Sequence, residues 1–138
     1  MISLILGHKG SGKTKHLIAC VNEAIETSKG NVICVEKETK LTYDVNYRAR
    51  LIATDDFEIK GYNSFYGFLA GVCAGNHDIT DVLVDATLRI GGRDYNELSK
   101  FLEEVYELAE AQDKKFTFTI SADREELPAS IFNYCKVL

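Results

Sequence analysis

No apolar run in this sequence approaches the length of about 18 residues that a membrane helix needs, so no segment is expected to cross a membrane. A basic surplus is also missing: Asp and Glu number 21 against 16 for Lys and Arg, for a formal net charge of −5. That shortage weighs against a dedicated nucleic-acid surface, whose phosphate contacts need clustered Lys and Arg. It does not weigh against a single nucleotide, for which a few donors suffice. Cysteines are few and unpaired in spacing. Cys20, Cys34, Cys73 and Cys135 form no CxxC, and each falls inside an apolar segment. The pattern predicts reduced, buried thiols in a cytoplasmic protein rather than zinc ligands. The basic start and cleavage site of a signal peptide are absent. So are repeats, low-complexity segments and linkers, and the 138 residues are expected to form one domain, 1–138.

What is there is the composition of a globular chain, 46% hydrophobic and 27% charged. Its periodicity switches between strand and helix. Residues 2–6, ISLIL, suit a strand buried on both faces. Leu17, Ile18, Val21, Ala24 and Ile25 mark one helical face, with Gly30 as its C-cap. Val32–Val35 reads as a second buried strand, completing a strand–loop–helix–strand unit. Residues 37–50 carry no pattern and are expected to be a loop or hairpin, with a further strand at 50–54. The apolar stretch 62–74 reads as a buried helix with Ser64 at its N-cap. Its Gly67 and Gly71 are expected to pack closely on the sheet. Residues 81–85, DVLVD, read as a third buried strand ending in a carboxylate. A turn at Gly91-Gly92 precedes a capping box at Asp94 and Glu97 and an amphipathic helix to about Gln112. Residues 116–120 alternate as a strand, a short helix is expected around Pro128, and 135–138 close as an edge strand. This alternation predicts an α/β fold with a mainly parallel sheet of about five strands.

Chemistry concentrates in the loop after the first strand, GHKGSGKT, residues 7–14. Gly7, Gly12, Lys13 and Thr14 match G-x-x-x-x-G-K-[ST] in the context that motif requires, after a strand and opening a helix. Glycines let such a loop turn its N–H groups inward as an anion nest, and the following helix adds its N-terminal donors. Gly7, His8, Lys9, Gly10, Ser11, Gly12, Lys13 and Thr14 are therefore the expected nucleotide-binding residues. Lys13 is assigned to the β- and γ-phosphates and Thr14 to Mg²⁺; His8 and Lys9 are solvent-facing or minor contacts. Asp85, ending an aliphatic strand, is the second expected metal ligand. No Glu follows it, so the carboxylates left to activate a water are Glu36 and Glu38, at the carboxyl end of the second strand, where ligands of open α/β sheets sit. Glu36 is the stronger candidate; exposed loop charge is the alternative for both. Ser121 either senses the terminal phosphate or caps a turn. Arg89 and Arg93 either act as an arginine finger on a neighbouring subunit or pair locally with Asp94 or Glu97.

Four segments, GHKGSGKT (7–14), VICVEKE (32–38), DVLVDAT (81–87) and TFTISAD (117–123), occur in the order seen in RecA-like P-loop ATPases, which the chain resembles. It also resembles short bacterial P-loop ATP-binding proteins of unassigned role. The resemblance implies a three-layer P-loop fold with the phosphate-loop strand beside the strand at 116–120. It implies ATP and Mg²⁺ as ligands, Lys13 and Thr14 at the phosphates, Asp85 at the metal, and Glu36 or Glu38 at the water. No DNA-binding loop or appended oligomerisation domain is recognisable in these residues. The guanine-reading [NT]-K-x-D pattern is missing too, which favours ATP. The expected function is a small ATP-binding protein with slow Mg²⁺-dependent ATPase activity, a switch or assembly subunit with room for a protein partner or a homo-oligomer. The alternatives are a nucleoside-type kinase and a non-hydrolysing nucleotide-binding interaction protein.

Overall fold

The short aliphatic runs become strands that pair side by side in one direction. In the computed structural model, which describes residues 1–41 and 44–138, these are β1 (Ile2–Leu6), β2 (Asn31–Glu36), β3 (Arg50–Ala53), β4 (Ile79–Val84), β5 (Lys115–Ile120) and β6 (Cys135–Val137). They form a single 6-stranded sheet in the order β3-β2-β4-β5-β1-β6. Every pairing is parallel, with Leu4 opposite Phe118 on one side and Val137 on the other. The sheet has six strands rather than about five. Parallel neighbours need crossovers, and the crossovers carry α1 (Lys13–Thr27), α2 (Tyr62–Gly75), α3 (Thr87–Gly91) and α4 (Tyr95–Gln112).

Both faces of the sheet are covered, which is why its strands are continuous apolar runs. On one face α1 buries Leu17, Val21, Ala24 and Ile25 over Ile5, Val32, Cys34 and Leu83. On the other, α2 and α4 bring Phe65, Leu69, Phe101, Leu102 and Val105 over Leu4, Ile33, Val82, Phe116 and Phe118. Phe65 stacks on Phe101 at 4.8 Å between centroids, and Phe101 meets Phe118 edge-on at 5.7 Å. The result is a three-layer α/β arrangement. No helix among the described residues is long and apolar enough to cross a membrane.

Local expectations fail where tertiary packing sets the outcome. Gly30 does not cap α1; that role falls to Ser28, whose N–H donates to Ala24 O at 2.8 Å. Gly30 is required instead because a β-carbon there would collide with the Asp78 carbonyl. Ser64 is not the N-cap of α2. Gly61 precedes the helix, and the Ser64 hydroxyl bridges the Lys60 N–H and C=O at 3.0 Å each. Gly67 and Gly71 do not pack on the sheet: both are exposed, and a β-carbon at either would meet nothing within 4 Å. The buried stripe of α2 is Tyr62, Phe65, Leu69 and Cys73. Residues 37–50, of which 42 and 43 lie outside the described residues, are not a hairpin, since β2 and β3 are parallel. Nor are they patternless: Leu41, Val45 and Ala49 recur every fourth position and are buried beside α1. Around Pro128 the chain makes two 3-10 segments, Arg124–Glu126 and Ala129–Asn133, rather than one helix. Asp94 does cap α4, its Oδ1 accepting from the N–H groups of Asn96 (2.9 Å) and Glu97 (3.1 Å).

Candidate functional site

The carboxyl ends of β1, β4 and β5 open onto one cleft of about 940 Å³. One wall is the loop between β1 and α1. Gly7 enters it with its N–H held by Ala122 O at 3.0 Å, and Gly10 and Gly12 adopt φ of 88° and 89°, a region that strongly favours glycine. At Gly7 a β-carbon would run into the Ser11 side chain, so the loop's close turn depends on that glycine. Ser11 N donates to His8 O at 3.1 Å, and Lys13 Nζ folds back to the same carbonyl at 3.1 Å.

The start of α1 breaks the usual rules for a helix N-terminus. No side chain caps it, no acid lies in its first turn, and Lys13, Lys15 and His16 stand there instead. Orphan N–H groups and the positive end of the helix dipole sit together with added positive charge. Local stability is sacrificed, and the arrangement suits a bound anion. The whole cleft repeats this bias. Lys9, Lys13, Lys15, Lys40, Arg89 and Arg93 line it, and Asp85 is its single acid among the described residues, in a chain whose net charge is −5.

Thr14 and Asp85, far apart in sequence, meet across the cleft. Thr14 Oγ1 lies 3.2 Å from Asp85 Oδ2 and 3.4 Å from Oδ1. A hydroxyl and a carboxylate side by side are the hard oxygen donors that Mg²⁺ prefers, so the donor set fits that ion. Asp85 is oriented from behind. Thr119 on β5, almost fully buried, donates to Asp85 Oδ1 at 2.7 Å and accepts from Ala86 N at 2.9 Å. Ala86 itself sits at φ 57°, a strained position for a side chain with a β-carbon. Nothing in the sequence singles out Thr119, because alternation along a strand says which side a residue faces and not what it touches.

Glu36 and Glu38 lie beside the metal candidates, lining an adjoining cavity of about 180 Å³ with Thr14, Asp85 and Arg89. Glu36 is buried, and its carboxylate accepts from Lys40 N at 2.8 Å and Leu41 N at 3.4 Å. Burial raises its pKa above the usual carboxylate range, against the lowering by those two N–H donors. Glu38 is at the surface and accepts from Arg89 Nη2 at 2.6 Å, which lowers its pKa; Lys40 and Lys37 lower it further. Arg89 lies in α3, and its partner is Glu38 rather than Asp94 or Glu97. Arg93 and Ser121 line the cleft without an ion pair or side-chain hydrogen bond among the described residues. Lys9 is exposed at the cleft, whereas His8 turns to Glu126 Oε1 (2.5 Å) and Asp123 Oδ2 (3.3 Å) after β5.

No protein-family model matches the chain, and no curated protein is significantly similar to it.

Proposed function

We propose that the chain is a RecA-like P-loop protein that binds ATP with Mg²⁺ and hydrolyses it slowly, acting as a switch or assembly subunit. The observation that carries this reading is the meeting of Thr14 and Asp85 at the mouth of an uncapped, lysine-rich helix N-terminus. The strand order adds support: β5 lies beside the phosphate-loop strand β1, as the resemblance implies. The loop N–H groups and Lys13 hold the β- and γ-phosphates. Thr14 and Asp85 would hold Mg²⁺, which supplies charge neutralisation on the phosphates when bound. Thr119 fixes Asp85 from behind.

Hydrolysis needs a base for the attacking water. The candidates are Glu36 and Glu38; Glu36, whose burial raises its pKa, is the stronger base of the two, since Arg89 lowers that of Glu38. The water oxygen bonds to the γ-phosphorus, its proton passes to the carboxylate, and the bond to the β–γ bridging oxygen breaks to leave ADP and phosphate. Free thiols at all four cysteines suit a reducing cytoplasm.

Thermal unfolding with nucleotide tests the reading. Mg²⁺-ATP at about 100 times Kd adds about 2.7 kcal/mol, roughly 5–10 °C in Tm for a chain of this size. Lys13→Ala is expected to remove the shift. An unchanged Tm for the wild type with ATP, ADP, GTP and GDP would rule the proposal out.

A further inference from the structure

Arg89 stands where two cavities meet. It lines the large cleft over the phosphate loop and also the smaller one that reaches Glu36 and Glu38. Its Nη2 is engaged by Glu38 Oε1 at 2.6 Å. Glu38 is itself held between cations, with Lys40 at 3.7 Å and Lys37 at 3.9 Å, and Lys37 is anchored to Asp55 at 2.9 Å. The carboxylate is thus fixed to the loop after β2, while the guanidinium rides on α3, just past Asp85. A guanidinium grips phosphate oxygens with the same planar fork that it offers a carboxylate. The Nη2 N–H that donates to Glu38 cannot serve a phosphate oxygen at the same time, so the two acceptors compete for that edge of the guanidinium.

We infer that Glu38 is a positioning residue that sets nucleotide specificity: it is the resident counterion of Arg89, and a terminal phosphate competes with it for that guanidinium. The inference rests on the nucleotide reading above. A triphosphate displaces the Glu38–Arg89 pair, and a diphosphate leaves it in place. Glu38 is then withdrawn from the list of water activators, leaving Glu36. The exchange also ties the 37–41 loop to the state of the nucleotide, because losing Arg89 leaves Glu38 with Lys37 and Lys40 alone.

Both partners are close to half exposed, Arg89 at 49% and Glu38 at 42%, so the pair is of the solvent-screened kind and its release has a small effect. Calorimetric titration of the full chain with Mg²⁺-ADP and with a non-hydrolysable Mg²⁺-ATP analogue reads it directly. Glu38→Gln is expected to tighten the triphosphate analogue about two- to fivefold and leave ADP unchanged. Arg89→Ala is expected to weaken the analogue about tenfold relative to ADP. In the Arg89→Ala background, Glu38→Gln is expected to do nothing, because the competed-for group is gone. The inference is overturned if Glu38→Gln shifts both nucleotides alike, if its gain survives without Arg89, or if it abolishes turnover while leaving the affinity ratio fixed. Failure of the wild type to bind either nucleotide overturns the function proposal and this inference with it; binding with an unmoved ratio overturns the inference alone.

Discussion

Glu36 is a costly residue to bury, and its surroundings offset the cost only in part. Two backbone N–H groups satisfy its carboxylate, yet burial still raises its pKa. Between the unfolded and folded pKa values the folded state holds more protons than the unfolded one. Stability therefore falls as pH rises through that interval, and the penalty is complete only above the folded-state pKa. Glu36→Gln is expected to be more stable than wild type at pH 7. The gain should fade as pH drops below the ordinary carboxylate range, checked by urea midpoints across pH. Equal midpoints at pH 7 would mean that the two N–H donors fully offset the burial. Thr119 is the opposite case, a buried hydroxyl with both of its roles filled. Thr119→Val keeps the shape and strands the Ala86 N–H, at a cost of about 1–3 kcal/mol in chemical unfolding. It should also weaken the Mg²⁺ dependence of nucleotide binding. Glu36 is legible in the sequence from its place at a strand end. Thr119 is not, since its role depends on β5 lying beside β4, a long-range pairing.

At the level of elements, helices are legible where one face is buried. The stripe of α4 at Leu98, Phe101, Leu102 and Val105 stands out at helical spacing, and so does the Asp94 cap, because both are encoded within a few residues. The orientation of α2 is hidden for a physical reason. Apolar residues run all round it, so composition cannot tell which side meets the sheet; the aromatic side does, and the glycine side faces solvent. An exposed glycine in a helix interior loses backbone entropy and gives no contact in return. Gly67→Ala with Gly71→Ala is expected to raise stability by roughly 1–2 kcal/mol in total, measured by urea unfolding. A measured loss would mean that the face is packed in solution. The start of α1 is legible on other grounds: glycines, Lys13 and Thr14 at fixed spacing are a poor cap and a good anion site at once.

At the level of the whole molecule, strand–helix alternation makes the parallel sheet legible, but nothing local dictates the order of its strands. That order brings Thr14 and Asp85 together and sets Arg89 against Glu38. It also separates charge in a way that net charge conceals. A chain of −5 gathers six cations and one acid around a single cleft, so the remaining surface is strongly acidic. Such a concave basic patch focuses its field on the opening and draws in anions from solution. The acidic remainder repels long polyanions. Association of Mg²⁺-ATP is therefore expected to slow on the order of tenfold between about 0.05 M and 0.5 M salt, as the Debye length shrinks from over 10 Å to under 5 Å. Duplex DNA should not compete at any salt. Stopped-flow binding of a fluorescent ATP analogue measures the first, and the same signal with added DNA measures the second. A salt-independent rate would show that the cleft's cations are neutralised before the nucleotide arrives, and competition by DNA would show that the acidic exterior does not screen it.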